Sequence, residues 1–181
     1  MAILNSITEM SKEMVEWRHH LHKNPELGFE EYKTAEYISN KLKEWGIEHY
    51  TKIAKTGIVA VIKGNKGDSN KSIGLRADID ALPIQEKNNF NYKSINDGVS
   101  HKCGHDGHTT LLLGAAKHLS ENPDFNGTVH LIFQPAEEGH GGAEAMMKEG
   151  LFKKFPMSMV YGMHNWPELP IGKFSICSGS I

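Results

Sequence analysis

Cys103-Gly104-His105-Asp106-Gly107-His108 crowds thiol, imidazole and carboxylate side chains around two glycines. These three side-chain types are the ones that bind borderline transition metals such as zinc. Two further groups stand where strands run out. The adjacent carboxylates Glu137-Glu138 follow the apolar run Val129 to Phe133, and His164 follows Met159-Val160-Tyr161-Gly162-Met163. Hydrolysis needs a Lewis acid and a base, which a metal site with a spare carboxylate beside it supplies. The residue types and their spacing point to a metal-dependent hydrolase.

Cys103 and His105 are two apart, so both side chains leave an extended loop on the same side. Asp106 is expected at the N-cap of a helix beginning near Thr109, a helix start that would lower the Cys103 thiol pKa. Taken alone, Cys103 is most simply a buried free cysteine; the whole hexapeptide is what favours metal chemistry. Adjacent glutamates leave an extended backbone in opposite directions, so one can bind metal while the other holds the attacking water and takes its proton. Glu-Glu pairs are more commonly solvated loop features, but Gly139, Gly141 and Gly142 here let backbone approach a site closely. Asp78 and Asp80 follow the run Ile73 to Ala77, and carboxylates at strand C-termini are placed for active-site work. For Asp80 two readings stand: it orients a ligand histidine, or it makes a turn or a salt bridge with Arg76. His101 and His108 flank the site as lining residues. His19, His20, His22, His49, His118, His130 and His140 are assigned no chemistry.

The elements that must position these groups follow from periodicity. Ser6 with Glu9 makes a capping box for a helix carrying Ile7, Met10, Met14, Trp17 and Leu21, stopped by Asn24-Pro25. A second helix is expected from about Glu31, with Ala35, Ile38, Leu42 and Trp45 on one face and Gly46 after its end. Strands are expected at Ile47 to Lys52, Gly57 to Lys63 and Ser72 to Ala77, the last two joined by a polar, hairpin-type loop. An irregular stretch from Leu82 to Val99 precedes a buried helix, Thr109 to Leu119. Then come a strand at Thr128 to Phe133, a short helix at Ala143 to Lys148, and strands at Ser158 to Tyr161 and Lys173 to Cys177. Alternating strands and helices predict an α/β fold, a mixed, largely parallel sheet sandwiched by helices.

The chain has 181 residues, 39% of them hydrophobic and 23% charged, enough for one ordinary domain with a real core. A formal net charge of −2 without long runs of one sign gives no reason to expect nucleic acid or a membrane surface as partner. Two cysteines, Cys103 and Cys177, are too few for a disulfide scaffold and fit a reducing cytoplasm. Met1 to Met10 lacks the basic and apolar regions of a signal peptide.

The chain resembles the metal-dependent amidohydrolase family of hippurate hydrolases, N-acyl-amino-acid amidohydrolases (aminoacylases) and indole-acetyl-amino-acid hydrolases. Five motifs in register carry the resemblance: Pro25-Glu26-Leu27-Gly28-Phe29, the Arg76 to Pro83 run, Cys103 to His108, Phe133 to Glu138, and Met163 to Pro167. It implies a zinc-exopeptidase-like α/β catalytic domain with two divalent metal ions per complete subunit (zinc, manganese, cobalt or nickel). By position, Cys103, His105, Glu138 and His164 are implied as metal ligands, Glu137 as general base and Asp78 as the carboxylate that supports it. The implied substrate is a small N-acyl-amino acid, cleaved at its amide. Other readings of the same motifs are a dipeptidase or carboxypeptidase, an N-acetyl-diaminopimelate deacetylase, or a truncated product that binds at most one ion without turnover. Ser100 and Lys102 depart from the small or apolar residues expected around His101, which bears on substrate preference. Family chains run far longer, so residues 1–181 are expected to be the N-terminal part of the catalytic domain. A lid or dimerisation domain, through which homo-oligomers would form, and a last histidine ligand would lie outside them.

Overall fold

The computed structural model describes residues 4–67 and 69–176. In chain order the elements are α1 (Asn5–Glu9), α2 (Ser11–Lys23), α3 (Tyr32–Glu44), β1 (Glu48–Ile53), β2 (Gly57–Lys63), β3 (Ser72–Asp78), α4 (His105–Glu121), β4 (Thr128–Gln134), α5 (Gly142–Lys148), α6 (Leu151–Lys154) and β5 (Met159–Gly162). The strands form one sheet in the order β1-β2-β4-β3-β5. β1 with β2 and β2 with β4 are antiparallel, while β3 runs parallel to both β4 and β5. The expected mixed α/β sheet is present. β2 and β3 are not a hairpin, because β4 lies between them and pairs with both.

Side chains along β2 and β4 alternate between two cores, as the strand period of two requires. Ile58, Ala60, Ile62, Val129, Leu131 and Phe133 face Trp17, Ile38, Leu42, Leu112, Leu113 and Ala116 from the long helices. Val59 and Ile132 face the other way, onto Met146, Leu151 and Phe155 from α5, α6 and the chain just after. Burial on both faces explains why β2 and β4 read as nearly continuous apolar runs. Among the described residues, no helix is long and apolar enough to cross a membrane.

Three expected boundaries are corrected. The first helix is broken at Met10 into α1 and α2. Ser6 lies inside α1 rather than capping it, sharing a hydrogen bond with His118 Nδ1 at 3.0 Å, and the Leu4 carbonyl accepts the first amides. Lys173 to Ile176 is not a strand; Phe174 and Ile176 project into solvent, and Cys177 lies outside the described residues. α4 begins at His105, four residues before Thr109, and its N-cap is Gly104 at φ 93°, not Asp106. A Cβ on Gly104 would also run into Asn165 Oδ1, so both backbone and neighbour demand glycine there.

This topology builds the site. From β3 the chain leaves through α4 on one sheet face and enters β4 on one side of β3. From β4 it leaves through α5 and α6 on the other face and enters β5 on the opposite side. The carboxyl end of β3 is therefore a switch point, the position where open α/β sheets form ligand crevices.

Candidate metal centre

His105 opens α4 directly beneath that crevice and is fully buried. Its Nδ1 lies 2.9 Å from the Asp80 carbonyl and 3.2 Å from Asp80 Oδ1, both acceptors, so Nδ1 carries the proton. Nε2 then presents its lone pair outward, the tautomer that metal-ligating histidines adopt. Among the described residues that Nε2 has no hydrogen-bond partner. It lies 3.7 Å from Asp78 Oδ2, 3.8 Å from Glu138 Oε1 and 3.9 Å from Glu137 Oε2. Glu138 Oε1 is likewise buried without a partner. Two orphaned buried polar atoms facing one another across less than 4 Å fit a cation between them.

Three donor sets share His105: with Cys103 and His164, with Asp78 and His108, and with Glu137 and Glu138, the atoms of each set lying within 4.8 Å of one another. Cys103 Sγ is 3.3 Å from His164 Nε2, whose ring is turned by its Nδ1–H donating to the Asn165 carbonyl at 2.7 Å. All six residues singled out from the sequence thus converge: Asp78, Cys103, His105, Glu137, Glu138 and His164. Their convergence follows from the sheet, since Asp78 ends β3 while the Glu137-Glu138 pair and His164 follow the carboxyl ends of β4 and β5, the strands parallel to it.

The electrostatics favour positive charge. Burial opposes charging of His105, but the Asp80 hydrogen bond and the nearby Asp78 and Glu138 outweigh it and raise its pKa. Burial alone would push Asp78 and Asp80 up; His108, His105 and Arg76 hold Asp78 low, and His105 with the amides of Glu138 and Glu137 holds Asp80 low. The expectation of a lowered Cys103 pKa is overturned. Burial, then the surrounding Glu138, Asp78 and Glu137, push the thiol up to about 11. The Asp106 carboxylate turns instead into the protein, to meet His22 Nδ1 at 2.8 Å and Arg18 Nε at 3.1 Å. A divalent cation would supply the charge that deprotonates such a thiol.

Asp80 resolves in favour of the orienting reading: it holds His105, and its Oδ2 accepts the Glu138 backbone N–H at 2.9 Å. Arg76 pairs instead with Asp78 Oδ2 at 2.9 Å and Gln134 Oε1 at 2.8 Å. Asp78 Oδ1 meets His108 Nδ1 at 2.6 Å; among the described residues its side-chain hydrogen bonds go to Arg76 and His108, not to Glu137. His108 is therefore more than a lining residue. His22, assigned no chemistry from sequence, is buried in a second polar network that joins Asp106, Glu86 and Lys102. Nothing local marks it, since its partners lie far along the chain.

Similarity to known proteins identifies the family. The chain is 52% identical over all 181 residues to a hippurate hydrolase of Campylobacter jejuni, of which it covers 46%. It is 41% identical over 175 residues to an N-acyl-L-amino acid amidohydrolase of Geobacillus stearothermophilus, spanning 96% of this chain and 46% of that protein. A Bacillus subtilis structure described as a dinuclear metal binding peptidase superposes with a TM-score of 0.85 at 41% identity, over 91% of this chain and 45% of that one. The chain spans about half the length of these relatives. The model of Peptidase family M20/M25/M40 matches residues 74–179, from mid-β3 through the crevice and beyond, and the chain belongs to that family.

Proposed function

We propose that residues 1–181 form the N-terminal part of the catalytic domain of a binuclear, metal-dependent amidohydrolase that cleaves the amide bond of N-acyl-amino acids. The observation that supports this most is the unpartnered, buried His105 Nε2, locked in its tautomer by Asp80 and surrounded by carboxylates and a thiol. The named activities of the hippurate hydrolase and the N-acyl-L-amino acid amidohydrolase supply the substrate class.

Cys103, His105, Glu138 and His164 would hold the metal. Bound there, divalent cations (zinc, manganese, cobalt or nickel) would supply Lewis acidity and bring the pKa of water to about 7. Glu137 is the more exposed glutamate, its side chain 41% accessible against 25% for Glu138, which suits it to meet substrate. In this reading Glu137 takes the proton of the attacking water and delivers it to the leaving amine. In this reading Asp78, its pKa held low by His108, His105 and Arg76, is the carboxylate that supports the base, through its charge and not through a hydrogen bond to Glu137. A cytoplasmic location, with Cys103 as a free thiol, belongs to the same reading.

The test is hydrolysis of N-benzoyl- and N-acetyl-amino acids by the protein carrying this sequence, loaded in turn with zinc, manganese and cobalt. Amine release abolished by a chelator and restored by metal supports the proposal. Release indifferent to both chelation and Glu137→Gln would sink it.

A further inference from the structure

Glu31 stands outside every donor set yet is fully buried. It is the N-cap residue of α3, but its side chain makes no cap; the second and third α3 amides, Lys33 and Thr34, are served by Glu26 instead. The Glu31 carboxylate reaches across to the loop after β4. Its Oε1 accepts the Ala136 backbone N–H at 2.8 Å, and its Oε2 accepts the Thr56 hydroxyl at 2.6 Å. Burial pushes its pKa up against those hydrogen bonds, so the fold keeps this carboxylate inside at a cost.

The loop it holds is under strain. Ala136 sits at φ 51°, a region disfavoured for a residue with a Cβ. Its carbonyl accepts the Gly142 N–H at 3.0 Å, and a Cβ at Gly28 would crowd its Cα and Cβ. Two residues on, the Glu138 N–H is held by Asp80 at 2.9 Å. Glu137 is thus flanked by two amides, each gripped by a buried carboxylate, while its own side chain has no hydrogen bond among the described residues. Its direction is set through the backbone.

We infer that Glu31 is a positioning residue for Glu137: its bond to the Ala136 amide holds the strained turn that aims the base. The inference rests on Glu137 acting as the base. A misplacement of about 1 Å at a catalytic group can lower the rate by up to about 100-fold.

The experiment compares Glu31→Ala, Glu31→Gln and Thr56→Val in the metal-loaded protein, following kcat, KM and metal content together with hydrogen exchange at the Ala136 amide. Glu31→Ala is expected to lower kcat about 10- to 100-fold with KM and metal content unchanged, and to speed Ala136 exchange. Glu31→Gln, whose amide oxygen still accepts from Ala136, is expected to restore most of the loss. Thr56→Val removes the other partner and is expected to lower the melting temperature while kcat and Ala136 exchange stay as they were. Wild-type kcat in Glu31→Ala, unaltered Ala136 exchange, or a loss that Gln fails to restore would overturn the inference. Should Glu31→Ala not fold, Glu31→Gln decides: a loss of Ala136 protection or of kcat in that variant counts against the assignment. If even the wild type cleaves no N-acyl-amino acid, the functional reading fails, and unchanged Ala136 exchange in the variants would separately refute the grip.

Discussion

Asp80 holds His105 at two points, carbonyl and carboxylate, and spends its remaining oxygen on the backbone of Glu138. One buried residue thereby sets the angle of one proposed metal donor and the anchorage of the other. Asp80→Asn would present an NH2 group either to His105 Nδ1–H or to the Glu138 amide, donor against donor in both orientations. Metal affinity is expected to fall about 10- to 100-fold, as removal of such supporting partners generally produces. Calorimetric titration with zinc checks it, and unchanged affinity would mean that Asp80 only shapes a turn.

The two adjacent glutamates should separate cleanly. Glu137→Gln is expected to retain metal while turnover drops about 10²- to 10⁴-fold. Glu138→Gln is expected to lose metal, because its buried Oε1 faces His105 Nε2 with no other partner. Metal analysis after dialysis, paired with kcat, distinguishes the two; a reversed pattern would exchange the roles assigned to them.

The second polar network predicts a pH dependence of stability. Burial works against ionisation of Glu86, but Lys102, the Ser94 amide, Asn88 and His22 outweigh it and hold its pKa at about 2. A carboxylate depressed in the fold stabilises above its unfolded pKa, about 4.3, and that stabilisation is lost as pH falls toward about 2. His22 is raised by Asp106 and Glu86 against the opposing effect of burial. Its contribution is complete below about 6.5 and is lost as pH rises through its folded value. Glu86→Gln should therefore melt lower than wild type at pH 5 to 6, with the gap closing by about pH 2. A gap independent of pH across that range would show that Glu86 acts by packing alone.

Two glycines give opposite expectations. A Cβ at Gly142 would collide with the Pro135 carbonyl, so Gly142→Ala is expected to lower stability by about 1–3 kcal/mol. Gly107 lies inside α4 with open space where its Cβ would go, and Gly107→Ala is expected to raise stability by about 0.5–1 kcal/mol. Chemical denaturation of both variants tests the pair.

How much of this was legible in the sequence depended on distance along the chain. Cys103, His105, Glu137, Glu138 and His164 were readable because each stands beside glycines or at the end of an apolar run, and β2 and β4 were readable as runs buried on both faces. Asp106 misled because an acidic residue just before a helical run resembles an N-cap. Only its contacts with His22 and Arg18, from a helix much earlier in the chain, show where it belongs. The insertion of β4 between β2 and β3 was hidden for the same reason, since local alternation carries no strand order. His108 and Glu31 meet partners that periodicity cannot reveal.

The sheet register sets when the site can come into being. Ser72 pairs with Thr128 and Ile73 with Met159, so every parallel contact beneath the crevice closes a long loop. Contacts of such high order form late, after the entropy of closing those loops has been met. Cys103, Glu138 and His164 consequently have no shared neighbourhood until most of the chain is in place. Under the proposed ligand assignment, cobalt added during refolding would colour last, making metal binding a clock for the final stage of folding and a mass-action weight on its endpoint.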